Sequence, residues 1–186
     1  MKEQLIEKKD SRRVKMTKKI LKETLLDIMA DKNISHISIK EICELADVNR
    51  STFYAHYDSI QDLLIEIEND VINETPRINL YYDEPVLEEL TTFFKYLERN
   101  KDVCRILFAS SDQHSFETKI MDKLFGKTSD KPQWITGFDI HNDVHIKMLM
   151  SAFGGLAIVE KWISGDFDCT ADELAIAISG AIQGKH

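Results

Sequence analysis

The sequence is poor in residues that break helices and in residues that cross-link chains. Its 186 residues include seven Gly and three Pro, and no Gly precedes Gly126. So long a stretch without glycine indicates helices joined by short connections and argues against a sandwich or barrel. Cys43, Cys104 and Cys169 are odd in number and widely separated, which fits neither a disulfide framework nor a paired metal site. We therefore expect an all-α protein in a reducing cytoplasm.

Long hydrophobic runs and export signals are also missing. No apolar segment approaches the ~18 residues that a membrane span needs, and the basic N-terminus lacks the apolar stretch of a secretory signal. The hydrophobic fraction of 43% is nevertheless ordinary for a folded protein, which excludes general disorder. No membrane partner is expected.

The net charge of −8 conceals an asymmetry along the chain. Residues 1–57 contain twelve Lys/Arg and nine Asp/Glu, whereas residues 58–186 contain twelve Lys/Arg and twenty-three Asp/Glu. A basic end on an acidic body indicates that the end binds a partner. We predict a module over 1–57, a connecting helix over 58–74 and a second domain over 75–186.

Three helical patterns follow one another in the N-terminal module. The first covers residues 11–31 and places four apolar residues on one face: Val14, Leu21, Leu25 and Ile28. The second begins with a capping box, in which Ser38 and Glu41 can each bond the other's free amide. Residues 46–48 interrupt the pattern, and Asn49 is a good N-cap for the third helix.

The rest of the chain is typical of further helices with one long loop. Asp58 or Ser59 is predicted to cap a fourth helix, and Thr170 with Glu173 forms another capping box near the C-terminus. Residues 126–139 read as a loop, because they contain two Gly and a Pro. The longest uninterrupted helical pattern runs from 140 to 165.

Two short helices joined by a three-residue turn, behind a basic helix, indicate a helix-turn-helix. The second helix would bury one face, formed by Val48, Phe53 and Tyr57. Its other face would offer polar side chains to the major groove: Asn49, Arg50, Ser51, Thr52, Tyr54 and His56. Arg can bond guanine, Asn can bond adenine, and hydroxyls can reach phosphates or bases.

The segment IKEICELADVNRSTFYAHYDSIQDLL resembles the N-terminal signature of TetR-type transcriptional regulators. Eight positions match, and Tyr57 stands where Phe is usual; the matches are Ile39, Ile42, Ala46, Val48, Thr52, Phe53, Tyr54 and His56. The similarity covers about residues 11–72. It implies an N-terminal three-helix helix-turn-helix domain, with a core of Ile39, Ile42, Ala46, Val48, Phe53 and Tyr57, and a C-terminal helical domain for ligand binding and dimerisation.

The resemblance also implies roles for single residues. Thr52, Tyr54 and His56 would contact the DNA backbone, and Lys40 would touch a phosphate. Arg50 and Ser51 would be base readers. Asn49, Arg12 and Arg13 complete the predicted DNA-binding set. Two positions depart from the family: Asp47 replaces the usual Gly in the turn, and Ile60 replaces a Lys that often contacts phosphate.

The last two helices are predicted to form a twofold dimer interface, as the resemblance implies. A run of small residues from Ser151 to Ala157 lies inside a helix, where each Gly costs ~1 kcal/mol relative to Ala. The final helix is apolar nearly all round, which suits either a partner helix or a central core helix. The predicted interface residues are Ala152, Gly154, Gly155, Leu156, Val159, Leu174, Ile178 and Ala181.

Other sites are weighed against simpler explanations. His141 and His145, four apart on a predicted helix, could bind a metal with His114, but satisfied or surface histidines fit as well. Several aromatic residues could line an effector pocket or simply form core: Phe93, Tyr96, Phe108, Trp134 and Trp162. No nucleotide-binding or hydrolase motif is present, so neither an enzyme nor a cofactor is expected.

The sequence therefore predicts a homodimeric regulator that binds a palindromic operator in double-stranded DNA. By the family's usual behaviour it would be a repressor whose DNA affinity responds to an unidentified small-molecule effector. Activation remains open. Two other classes also remain: a helical dimer or co-activator that works through a protein partner, and a small-molecule sensor without DNA contact.

Overall fold

The computed structural model describes residues 2–76, 78, 86–110, 113–125, 127–128, 131–132, 141 and 143–183. The N-terminal elements are α1 (Lys2–Met29), a 3-10 turn (Ile34–His36), α2 (Ile39–Leu45), α3 (Arg50–Tyr54) and α4 (Ile60–Glu74). They are followed by α5 (Leu87–Arg99), α6 (Lys101–Ala109), α7 (Gln113–Phe125), α8 (Asp143–Ser164) and α9 (Ala171–Gln183). The all-α prediction is confirmed.

One small strand pair interrupts the helices. β1 (Lys127–Thr128) and β2 (Lys131–Pro132) pair antiparallel, with Lys127 opposite Pro132. Residues 126–139 were expected to form a loop, and these two-residue strands are too short to give a periodic signal in the sequence. Among the described helices, none is long and apolar enough to cross a membrane.

The chain divides into two compact units, Met1–Asp70 and Val71–His186, so the division falls inside α4. In the first unit, α2 packs against both α1 and α3. Its core contains five side chains with no exposed surface: Leu21, Leu25, Ile42, Phe53 and Leu63. Val14 was predicted to join this face, but it is 39% exposed. Helix α1 also begins nine residues earlier than its periodicity indicated.

In the second unit, α5 packs along α9, and α6 contacts both α7 and α8. The largest fully buried side chains of this unit include Phe94, Phe116 and Trp162. The Phe94 and Trp162 rings meet edge to face with centroids 5.9 Å apart, and Phe108 meets Phe116 in the same way at 5.2 Å. Such contacts add to the burial of aromatic area in stabilising a core.

Side-chain caps fix where several helices begin. The Ser38 hydroxyl accepts the Glu41 amide at 3.2 Å at the start of α2, as predicted. The Ser59 hydroxyl accepts the Asp62 amide at 3.1 Å ahead of α4, which selects Ser59 over Asp58. At α9 the predicted capping box is complete, because the Thr170 amide also donates to the Glu173 carboxylate at 2.8 Å.

Candidate nucleic-acid interface

The turn between α2 and α3 has left-handed geometry at Asp47, where the backbone φ is 51°. Glycine adopts this region most easily, and Asp tolerates it better than most residues. The Val48 amide donates to the Cys43 carbonyl at 2.9 Å, and the Ala46 amide donates to the Ile42 carbonyl at 2.9 Å. These bonds satisfy carbonyls at the end of α2 and redirect the chain. Asp47 therefore preserves the turn in which Gly is usual.

Asn49 occupies the N-cap position of α3, but its side chain does not cap the helix. Its carbonyl accepts the amides of Thr52 and Phe53 at 2.9 and 3.1 Å. The side-chain part of the N-cap prediction is wrong, because the carboxamide makes no capping hydrogen bond. Since Asn49 is also exposed, its donor and acceptor remain available to a base edge, and their geometry suits adenine.

The residues of α3 and the following turn separate by exposure. Exposed residues are Asn49, Arg50, Ser51 and Tyr54, while Thr52 and His56 are half-buried. Phe53 and Tyr57 are buried, with ring centroids 5.8 Å apart. Of the other predicted core residues, Ile42 and Ala46 are buried, whereas Ile39 and Val48 are only half-buried. The amphipathic division predicted for the second helix is therefore present, except at Val48.

Helix α3 itself is shorter than predicted, since it ends at Tyr54. The amides of His56 and Tyr57 both donate to the Phe53 carbonyl, at 2.9 and 3.0 Å. These two bonds extend a helical turn beyond α3 and fix Tyr57 relative to Phe53. His56 precedes Tyr57 in this turn, and its ring centroid is 6.4 Å from that of Tyr57.

The other cationic side chains of the predicted DNA-binding set lie on α1 and α2. Arg12 and Arg13 are exposed on α1. The Lys40 side chain on α2 is 63% exposed, and its Nζ is 3.7 Å from the Glu44 carboxylate. An exposed pair at this separation contributes little, so Glu44 does not hold Lys40 in place. The Lys that is often found at the start of the fourth helix is replaced by the half-buried Ile60.

Two further lysines of α1 are paired with acidic residues of α4. Lys18 and Lys22 make ion pairs with Glu66 of α4, and Lys22 also pairs with Asp70. Sequence reasoning missed this contact, although each helix carries its two charges at i and i+4, the spacing that places them on one face. Across residues 1–70 there are twelve Lys/Arg and fourteen Asp/Glu. The first compact unit is therefore not basic as a whole.

Comparison with protein families agrees with this geometry. The profile described as bacterial regulatory proteins, tetR family, matches residues 23–67. A TetR profile described as transcriptional regulator C-terminal region matches residues 85–184, more than half of the chain. The chain belongs to the TetR family. Its function is therefore DNA-binding transcriptional regulation, as predicted.

Solved structures with TetR-like folds extend the comparison. A TetR transcriptional regulator from Streptococcus agalactiae 2603V is 18% identical, with a TM-score of 0.66 over 93% of this chain and 97% of that chain. A structure named dihydroxyacetone kinase operon activator DhaS is 22% identical, with a TM-score of 0.57 over 91% and 95%. Identities this low show a shared fold and no more. No curated protein sequence matches the chain.

The predicted histidine site is not supported by the helix that was expected to carry it. Helix α8 of this TetR-family chain begins at Asp143, so His141 precedes it and the pair with His145 does not lie on one helix. The side chains of His145 and His114 lie outside the described part of the structure. Among the side chains that are described, no three His, Cys, Asp or Glu residues form a possible metal site.

The aromatic residues considered for an effector pocket are mainly core. Phe93, Phe108 and Trp162 are buried, and Tyr96 is half-buried with its hydroxyl donating to the Val71 carbonyl at 2.9 Å. The Trp162 indole donates to the Cys169 carbonyl at 2.8 Å, and the Lys101 ammonium lies 5.4 Å from the ring centroid. Trp134 lies outside the described residues.

The predicted dimer residues are only partly on an outer face of the TetR-family C-terminal unit. Val159 and Leu174 are buried within the protomer, so we remove them from the predicted interface. Gly154 and Ala181 are exposed, and three others are half-buried: Gly155, Leu156 and Ile178. The side chain of Ala152 lies outside the described set.

Proposed function

We propose that the chain is a sequence-specific regulator that reads a palindromic operator with residues 49–56 of each protomer in a homodimer. The observation that carries this proposal is the exposed polar face of α3, held behind the left-handed turn at Asp47. Arg50 and Ser51 at the start of α3 are proposed base readers. Thr52, Tyr54 and His56 would position the helix on the sugar-phosphate backbone, which fixes register before bases are read.

Dimerisation through α8 and α9 is supported by apolar residues left exposed at helical spacing. On α8 these are Met150, Phe153, Gly154 and Ala157, and on α9 they are Ile176, Ala177 and Ala181. Met150 is 71% exposed and Ile176 is 61% exposed. A helical Gly costs about 1 kcal/mol relative to Ala. Within the protomer, a Cβ at Gly154 or Gly155 would meet no atom within 4 Å, so close approach of a second copy is the better reason for glycine.

Regulation by a small molecule follows the behaviour that the family resemblance implies. An effector would bind the C-terminal domain more tightly in one arrangement of the protomers and so change the separation of the two recognition helices. Repression relieved by a ligand is our proposal for the sign of control. A reporter gene placed behind an operator sequence, obtained by the selection described next, tests whether the protein represses or activates. Activation would raise transcription in the presence of the protein.

Selection of DNA from a random duplex pool tests the DNA-reading proposal directly. We expect an enriched palindrome whose half-sites are about one helical turn, ~34–36 Å, or a multiple apart. Arg50→Ala should then relax discrimination at one base pair in each half-site by about 1–3 kcal/mol. The exposed Arg99 of α5 provides a control, since Arg99→Ala removes the same charge from the other unit. A pool with no enriched sequence would refute specific DNA reading.

A further inference from the structure

A cluster of four charged side chains joins α1 to α4 in the first compact unit; we call Lys18, Lys22, Glu66 and Asp70 the α1–α4 cluster. Glu66 is central, because one carboxylate oxygen lies 2.8 Å from the Lys18 Nζ and the other 2.6 Å from the Lys22 Nζ. Lys22 also hydrogen-bonds Asp70. The side chains of Lys18, Lys22 and Glu66 are 19–31% exposed, so water screens these pairs less than the other pairs of α1 and α2.

The α1–α4 cluster contacts Tyr57, which follows α3 in the chain. The Lys18 ammonium lies over the Tyr57 ring, 5.1 Å from its centroid, which is within the range of a favourable cation–π contact. Tyr57 is bound in turn to Phe53 of α3 by its backbone amide and by ring packing. A continuous path of contacts therefore runs from Glu66 through Lys18 and Tyr57 to the inner face of α3.

The pKa values of Glu66 and Lys22 agree with the close pairing of their charges. Burial alone would raise the pKa of Glu66, but hydrogen bonds from Lys18 and Lys22 outweigh it and lower the pKa to about 2. Burial would lower the pKa of Lys22, yet its bonds to Asp70 and Glu66 raise it. Glu66 and Lys22 are therefore both charged near neutral pH. The lysines of the cluster are already paired with carboxylates and do not count among the cations that face solvent.

We propose that Lys18 and Glu66 are positioning residues for operator recognition, which set the placement of α3 through Tyr57 without touching DNA. The inference rests on the proposed reading of DNA by α3. A displaced recognition helix loses base contacts, because these need alignment within hydrogen-bond geometry, whereas attraction to phosphates depends mainly on charge. Disturbing the cluster should therefore weaken binding to the operator and spare binding to unrelated duplex.

Neighbouring lysines on α1 provide a matched test. Lys18→Met removes the cation over Tyr57, while Lys19→Met removes an equal charge from a residue whose exposed side chain pairs only loosely with Glu23 at 3.6 Å. We expect Lys18→Met to reduce affinity for the selected operator by about three- to tenfold. Affinity for a random duplex, and the slope of log K against log salt, should stay unchanged, and Lys19→Met should leave the ratio of operator to random-duplex affinity unchanged.

A direct contact between Lys18 and a phosphate would give a different pattern of affinities. If Lys18 touched a phosphate, Lys18→Met would weaken both duplexes equally and reduce the salt slope by about one, which would overturn the proposal. An operator affinity equal to that of the wild type would also overturn it. Failure of the DNA-reading proposal is separate, since the wild-type protein would then enrich no sequence from the random pool.

A second matched pair covers the case in which Lys18→Met does not fold, as judged by far-UV circular dichroism. Glu66→Gln removes the central carboxylate, and Glu23→Gln removes one from the exposed pair on α1. We expect Glu66→Gln to lower the ratio of operator to random-duplex affinity, because Lys18 loses the carboxylate that holds it over Tyr57. The Glu23→Gln ratio should equal the wild-type ratio. Equal ratios for both variants would contradict a positioning role.

Discussion

The amide of Val48 donates a hydrogen bond of 2.9 Å to the carbonyl of Cys43, across the left-handed residue Asp47. This bond ends α2 and sets the direction in which α3 leaves the turn. Cys43 is buried and Val48 half-buried, so the turn is fixed to the core on one side. The recognition helix thus depends on a backbone conformation that costs an L-amino acid energy.

Replacing Asp47 by Gly should increase the stability of the first compact unit. Glycine adopts φ near 51° without the Cβ clash, so we expect a gain of about 0.5–1 kcal/mol in the free energy of unfolding. Chemical denaturation followed by circular dichroism measures it. Asp47→Asn serves as the control, because it removes the charge and keeps the side-chain shape. A loss of stability in Asp47→Gly would show that the Asp side chain stabilises the turn.

The cation at the start of α2 should contribute to binding of every DNA sequence alike. Lys40→Ala is expected to weaken operator and random duplex equally and to lower the salt slope by about one. Its neighbour gives the reverse test: Glu44→Gln removes the anion 3.7 Å from Lys40 and should strengthen both complexes. Titration of the two duplexes over a series of salt concentrations measures each effect. A loss confined to the operator would assign Lys40 a role in base reading.

Acid should remove the stability that Glu66 contributes. In the folded protein its pKa is about 2, below the ordinary value of 4.5. The contribution is therefore complete above pH 4.5 and is lost as the pH falls from about 4.5 to about 2. Denaturation of wild type and Glu66→Gln over this range should show their difference in unfolding free energy shrinking with acid. Glu23→Gln, which removes a carboxylate from the exposed pair on α1, is the comparison.

The hydroxyl of Tyr57 should be dispensable, while its ring is not. The hydroxyl is buried near Glu66 without a hydrogen bond of good geometry. Burial, together with the nearby carboxylates, raises the pKa of Tyr57 well above its usual range, so the phenol stays neutral. Tyr57→Phe should therefore raise stability by about 1 kcal/mol and keep operator affinity. Tyr57→Leu, which removes the aromatic ring under Lys18, should reduce that affinity.

Gly154 allows dimerisation to be tested without disturbing the protomer. Because a Cβ at this position meets no atom within 4 Å, Gly154→Leu should fold and keep its helix content. A bulky side chain at a close helix contact should nevertheless shift the sedimentation of the protein toward the monomer. Glu160→Leu, a half-buried position on the same helix, is the comparison. A dimer of unchanged affinity in Gly154→Leu would place the contact between protomers elsewhere.

Features governed by near neighbours in sequence could be predicted well. The capping serines and threonine and the inward placement of Phe53 and Tyr57 all depend on residues within one or two turns. The same reasoning failed at the start of α3, where a side-chain oxygen and a backbone carbonyl compete as hydrogen-bond acceptors. Asn49 was expected to use its side chain as a cap, but the amides of Thr52 and Phe53 donate to its backbone carbonyl instead.

Features set by distant contacts could not be predicted from local patterns. The pairing of Lys18 and Lys22 with Glu66 depends on how α1 crosses α4, and the periodicity of either helix does not fix that crossing. Val14 shows the same limit: its spacing fits the apolar face of α1, yet its side chain is 39% exposed. Exposure of Gly154 and burial of Val159 on one helix likewise depend on what packs against α8.

The environment of Trp162 also allows the C-terminal unit to be followed by intrinsic tryptophan fluorescence. The chain has two tryptophans, so Trp134→Phe would leave one indole, which is buried and hydrogen-bonded to the Cys169 carbonyl just before α9. Its fluorescence depends on the polarity around the ring and on quenching by nearby groups. Rearrangement of the connection between α8 and α9 would therefore appear as a change in emission, and candidate effectors could be screened optically without knowledge of the operator.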